Sequence, residues 1–212
     1  TLGAGATQRA IHASAPGTGL ALDAAWVPAL GLTAGARVPL DDWFVRVGMR
    51  YETSLGLELQ DQAPQPASPL SARTHRFEAG IAPGVDLAAL ELALRLGYDL
   101  RVLSVVERGA IPAFTLHGPF ERLEVQLSHL DGLLHVSAAP ELSAVVSVSK
   151  AFRRAANVDG YGLGYGGEAA LRAALGSRFA LALRYRQSHV SLDAEHDDVE
   201  RYLMLEGFLH CD

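Results

Sequence analysis

Two side chains near the end of the chain have the types and spacing of an acyl-transfer pair: His189 and Ser191, in the run SHVSLD at 188–193. An imidazole that takes the proton of a nearby hydroxyl leaves a nucleophile able to attack an ester carbonyl. A second, larger set is ionic: Arg46, Arg50, Glu52, Glu58, Glu91, Arg95, Asp99, Arg101, Arg184, Arg186 and Glu206. Charges of mixed sign that share one buried face must pair and hydrogen-bond. Two further patterns carry less. Gly162-x-Gly164-x-x-Gly167 mimics a dinucleotide fingerprint, but the AANVDG before it is no strand. DAEHDD at 193–198 brings His196 together with Asp193, Glu195, Asp197 and Asp198, and reads as a solvated acidic loop. The eight histidines show no HExxH, Cys211 is the single cysteine, and nothing resembles a phosphate loop. No metal or cofactor is expected.

The elements that must position these residues are strands. From Trp43 to Gln60 every second residue (Trp43, Val45, Val47, Met49, Tyr51, Thr53, Leu55, Leu57, Leu59) is apolar apart from one threonine. The intervening set carries Arg46, Arg50, Glu52 and Glu58. A helix would scatter those charges round its circumference, so period two decides for strand. Leu90 to Val106 repeats the pattern, with Leu90, Leu92, Leu94, Leu96 and Tyr98 against Glu91, Arg95, Asp99 and Arg101. On 178–192, Phe179, Leu181, Leu183 and Tyr185 share a parity with His189 and Ser191, which therefore point outward near a rim. Residues 1–17 read as a flexible lead-in, and 18–212 as a single β-domain. Strands are expected at 18–28, 32–38, 43–60, 74–84, 90–106, 120–139, 141–152, 163–175, 178–192 and 200–211. PALG (28–31), Pro83-Gly84 and Pro140 serve as short turns, and Asp131-Gly132 lies within an irregular strand. Long polar connections near 61–73, 107–118, 153–160 and 193–198 alternate with short ones. That is the rhythm of an up-and-down transmembrane β-barrel, with lipid outside and a polar lumen. The count is ten, or eight without the first hairpin.

Composition agrees. In 212 residues, 49% are hydrophobic and 20% charged, yet no run nears the ~20 apolar residues of a membrane helix. A net charge of −6 argues against nucleic acid. Lys150 is the only lysine, so basic character rests on arginine, whose fixed fork can serve several carboxylates. With no leader visible at Thr1, an envelope protein of this sequence reads as mature or trimmed.

The alternating strands 43–60, 90–106 and 178–192 and the final YLMLEGFLH (202–210) carry a resemblance to the small outer-membrane β-barrels of Gram-negative bacteria. The resemblance implies an outer-membrane location, contact with outer-membrane lipid and lipopolysaccharide, and other envelope proteins as partners. Such barrels end in an aromatic residue, whereas this chain ends His210-Cys211-Asp212, with Phe208 the nearest candidate. The pair His189-x-Ser191 is similar to that of the lipid A 3-O-deacylase family, in which an acidic residue on the last strand completes the site. The resemblance makes Glu200 that residue, although Leu192 stands where the family carries asparagine. Four readings follow. The first is a non-enzymatic barrel with a charge-filled lumen and a structural or anchoring role, its outer loops meeting partners. The second is a lipid-modifying hydrolase using His189, Ser191 and Glu200. The others are a narrow pore and a soluble β-barrel, faces reversed, that binds an apolar ligand.

Overall fold

Strands with one apolar and one ionic face can bury either, and the computed structural model shows which. Residues 2–15, 18–61, 70–105, 113–156, 158, 160–176, 178–193 and 196–209 are described. In chain order the elements are β1 (Leu2–Ala15), β2 (Thr18–Asp23), β3 (Val27–Leu40), β4 (Trp43–Ser54), β5 (Leu57–Asp61), β6 (Leu70–Leu87) and β7 (Leu90–Val105). They continue with β8 (Phe114–His129), β9 (Leu134–Val145), β10 (Ser147–Val148), α1 (Lys150–Ala156), β11 (Gly162–Ala174), β12 (Phe179–Asp193) and β13 (His196–Leu209). Ten long strands pair antiparallel in the order β1-β3-β4-β6-β7-β8-β9-β11-β12-β13, and β13 returns to β1. The short β2, β5 and β10 extend neighbouring strands at one rim. Closure leaves no long edge unpaired, which a sheet in hydrocarbon requires.

The leucines face out. Leu30, Leu32, Met49, Ile81, Leu96, Leu123, Leu183 and Leu205 are all exposed, while the arginines and carboxylates on the alternate positions are buried or half-buried. The reversed faces of a soluble barrel around an apolar ligand are therefore not found: the leucine-bearing faces do not meet in a dry centre. Four short connections, following β3, β6, β8 and β11, share the rim at which Leu2 lies opposite Gly207. Longer connections occupy the other rim, where the parts at 62–69 and 106–112 lie outside the described residues, as do His210, Cys211 and Asp212.

Ten strands are present, but not the ten expected. The lead-in is a barrel strand: β1 pairs with β13 from Leu2↔Gly207 to Ala13↔His196 and with β3 from Leu2↔Leu32 to Thr7↔Val27. Its small outward residues Ala4, Ala6 and Ala10 gave too little apolar contrast for the alternation to show. Conversely, 18–40 is one path broken by a bulge, not two strands turning at PALG. Four residues of β1, from Ala10 back to Thr7, oppose five from Asp23 to Val27. The missed strand and the divided one cancel. Pro83-Gly84 does not turn either; β6 runs through it to Leu87, and the turn falls at Ala88-Ala89. The hairpin between β8 and β9 lies at Asp131-Gly132, where Leu130, Asp131 and Gly132 all have positive φ (52°, 53° and 82°). Pro140 stays inside β9, where it lacks a ladder donor. The β8–β9 pairing lapses beside it between Arg122↔Glu141 and Val125↔Ala138. At the other rim, 153–160 is not wholly loop, because α1 reaches Ala156, and within the expected loop 193–198 Asp193 ends β12 and His196, Asp197 and Asp198 belong to β13.

Seam closure has a direct test. Ala6 and Leu203 are register partners, so their Cα atoms fall within the span a disulfide bridges. In a Cys211→Ser background, Ala6→Cys/Leu203→Cys should crosslink on oxidation and change the migration of the boiled protein. Two free thiols after oxidation would show that the N-terminal strand does not close the barrel.

Candidate functional site

Inward-facing charges meet in layers along the barrel axis. At mid-height, the carboxylates of Glu78 (β6) and Glu141 (β9) are gripped by three guanidiniums. Arg76 lies 3.1 Å from Glu78 and 3.4 Å from Glu141. Arg122 is 3.2 Å from Glu78 and also contacts Glu141; Arg186 is 2.9 Å from Glu141 and also contacts Glu78. Asp99 receives a fork from Arg76, at 3.0 and 2.7 Å, and the Nε–H of Arg101 at 2.7 Å. Ser188 Oγ accepts from both Arg76 and Arg101 at 3.1 Å. Carboxylate oxygens of Glu78, Asp99 and Glu141 come within 4.8 Å of one another, close enough for a metal. Arginines already contact every one of those six oxygens, so the cluster is an anion set for guanidiniums.

Toward the turn rim, Arg184 contacts Glu52 and lies 2.7 Å from Glu206 and 3.4 Å from Glu168, which Arg50 reaches at 2.5 Å. Below them Arg46 bridges Glu91 (3.0 Å) and Glu124 (2.8 Å), and Arg95 lies 2.8 Å from Glu124. These line a cavity of about 870 Å³ with Arg37, Arg172 and His135. On the loop side, Arg9 forks onto Asp198 at 2.9 and 2.5 Å and lies 3.6 Å from Glu200, whose carboxylate also accepts from the Tyr202 hydroxyl at 2.9 Å. Above Arg9 the lining turns apolar: Ile11, Leu57, Leu103, Phe114, Leu116, Val148, Val190 and Leu192 pack with Phe152 of α1. The Phe114 and Phe152 rings are 4.3 Å apart, and Arg9 sits over Phe114 at 5.2 Å.

Of the ionic residues singled out from sequence, Arg46, Arg50, Glu52, Glu91, Arg95, Asp99, Arg101, Arg184, Arg186 and Glu206 lie in these layers. Glu58 does not. Five residues from Thr53 to Leu57 oppose four from Ala72 to His75, and the bulge at Leu55-Gly56 reverses parity. Leu57 is buried as a result and Glu58 is exposed. Gly56, at φ 136°, makes the bend. Sequence reading missed Arg9, Arg76, Glu78, Arg122, Glu124, Glu141 and Glu168 as inward charges, and placed Asp198 in a loop. Arg76, Glu78, Arg122, Glu124 and Glu168 lie within the expected strands 74–84, 120–139 and 163–175, where alternation is weaker than on 43–60 and 90–106; Arg9 lies in the expected lead-in and Glu141 beside the expected turn at Pro140.

His189 and Ser191 do point outward, on β12, but Glu200 faces the lumen and is 1% exposed, so it is not their acidic partner. Strand parity puts Asp197 there instead: His189 Nε2 lies 3.2 Å from Asp197 Oδ1, and its ring stands edge-on to Tyr165 at 4.7 Å. His196, in the expected acidic loop, is buried at the start of β13. The glycine motif lies in β11, paired to β9 and β12 with no helix after it; Cβ atoms on Gly162 and Gly164 would meet Ser191 O and Ser143 Oγ at 2.3 Å. These glycines thin the wall and cradle no nucleotide.

Cutting one member out of the mid-height cluster strands its partners. Arg186→Leu should lower unfolding free energy by about 3–5 kcal/mol, read from the urea midpoint in detergent, because Glu78 and Glu141 lose a shared cation. A loss under about 1 kcal/mol would show that water reaches this layer.

No protein-family model matches the chain, and comparison with curated proteins found no match. Among solved structures, the translocator domain of the autotransporter NalP from Neisseria meningitidis is similar, with 14% identity over 99% of this chain and 88% of that one, at a TM-score of 0.51. OmpT, an outer-membrane protein of Vibrio cholerae, shares 8% identity over 88% of this chain and 63% of its own (TM-score 0.38). The Pseudomonas putida toluene transporter TodX shares 12% over 95% and 66% (TM-score 0.36). The likeness is one of fold: this chain resembles the outer-membrane β-barrels of Gram-negative bacteria.

Proposed function

We propose that this protein is a sealed, non-enzymatic β-barrel of a Gram-negative outer membrane, with a structural or anchoring role in the envelope. The observation that supports the reading is the double obstruction of the bore. Side chains from opposite walls meet in the ionic layer, as Arg184 does with Glu52, and the apolar cluster under α1 lies above it. A barrel of about ten strands has little free bore once its interior is filled. The outward leucines supply the lipid contact, and the loop rim is the surface offered to lipopolysaccharide and to other envelope proteins. In planar lipid bilayers the reconstituted protein should give no steady conductance steps. Reproducible steps would contradict a sealed lumen and favour the narrow pore.

One observation favours a hydrolase: His189 is held by a carboxylate, Asp197, with Ser191 on the same face. A sealed anchor should leave lipid A alone. Mass spectra of lipid A from cells producing the wild type and Ser191→Ala should therefore be identical. A deacylated species present only with the wild type would replace the anchoring reading with catalysis.

A further inference from the structure

The lipid-facing side of β1, β13 and β12 is apolar for most of its height and then changes abruptly. From the turn rim upward, Leu209 and Phe179, Leu181, Leu205 and Leu183, and then Leu203 and Tyr185 are exposed. The next row is Gln8, Arg201 and Gln187, register partners across the three strands. Arg201 Nη1 donates to Gln8 Oε1 at 3.0 Å and its Nε to Gln187 Oε1 at 3.4 Å. Gln187 Oε1 also accepts from the Tyr185 hydroxyl at 2.9 Å. The strand itself is pinned from behind, where the buried Thr7 hydroxyl donates to the Arg201 carbonyl at 2.9 Å. Among the described residues the Arg201 guanidinium meets no carboxylate. Its two acceptors are neutral, so it keeps a full positive charge on the outside of a membrane-spanning strand. The inward-facing arginines of the ionic layers, in contrast, are matched by Asp or Glu.

Height says what would neutralise it. Eight residues separate Arg201 from Leu209, about 27 Å along the strand at about 3.4 Å per residue. At the usual tilt of about 40° that is about 21 Å, near the top of an apolar band about 25 Å tall. Arg201 thus stands at the headgroup level of the leaflet nearer the long connections. A guanidinium there takes an anion that offers two oxygens to its planar fork, and a phosphate does so.

We propose that Gln8, Arg201 and Gln187 form a binding site for a phosphate of lipid A in the outer leaflet. The two carbonyl oxygens hold the guanidinium flat against the barrel wall, and Tyr185 fixes Gln187 beneath it. The ligand's acyl chains then lie along Leu203, Leu205 and Leu183. This rests on the membrane reading proposed above.

The test uses the full chain in detergent micelles and native mass spectrometry, titrating phosphorylated lipid A, enzymatically dephosphorylated lipid A and phosphatidylglycerol. The wild type should prefer phosphorylated lipid A to the other two by about tenfold or more, a typical worth for one charge-assisted contact. Arg201→Gln should erase that preference. Gln8→Glu, which supplies the missing carboxylate beside the guanidinium, should erase it too. Either variant that folds, judged by heat-modifiable migration, decides the matter. A variant that keeps the wild-type preference would overturn the site, as would phosphatidylglycerol binding as tightly as lipid A. A wild type that stays folded and monodisperse without detergent would instead overturn the membrane reading beneath it.

Discussion

A backbone N–H in hydrocarbon has no water to fall back on, so each of the ten long strands must find two neighbours. That constraint sets the architecture. The pairing of β1 with β13 closes the sheet, and closure divides each strand into a lipid side and a lumen side. Once the division is made, the apolar half of the alternation is soluble only in lipid. The ionic half must then be paired inside, and bulges become the only places where a residue can change sides.

The interior answers the second demand with arginine. Three guanidiniums around Glu78 and Glu141, and one serving Glu52, Glu168 and Glu206, use the ability of a planar fork to bond several carboxylates at once. A lysine's point charge could not span the same partners. Such layers need not be more stable than an apolar filling of equal shape. They do tie strands far apart in sequence to one register, since Arg184 of β12 reaches β4, β11 and β13. Above them α1 drops Phe152 into an apolar cap, so polar and apolar fillings are stacked rather than mixed.

Much of this was legible in the chain. The alternation in 43–54, 90–105 and 179–192 gave strand, face and the inward charges of those strands, because period two separates the residue types cleanly there. What was not legible failed for physical reasons. Eight of the fourteen residues of β1 are Ala, Gly or Thr, whose hydropathies contrast too little to mark its two sides. Glu58 and Glu200 were misplaced for opposite reasons: a bulge moved the first outward, and a resemblance drew the second to a face that parity denies it. Prolines misled three times: Pro28, Pro83 and Pro140 all sit within strands rather than turning the chain, the last two where the ladder lapses beside them. The Arg201 site could not be found from types and spacing alone, since it needs the register that sets Gln8 and Gln187 beside it.

The central claim is that the leucine-bearing side meets acyl chains. Spin labels at Leu94, Arg95, Leu96 and Gly97, placed singly in a Cys211→Ser background and reconstituted in bilayers, test it most directly. Collision rates with oxygen, which dissolves in lipid, should be high at 94 and 96 and low at 95 and 97. A water-soluble nickel complex should not reach 94 or 96. High nickel accessibility at 94 and 96, with oxygen showing no alternation, would contradict the account.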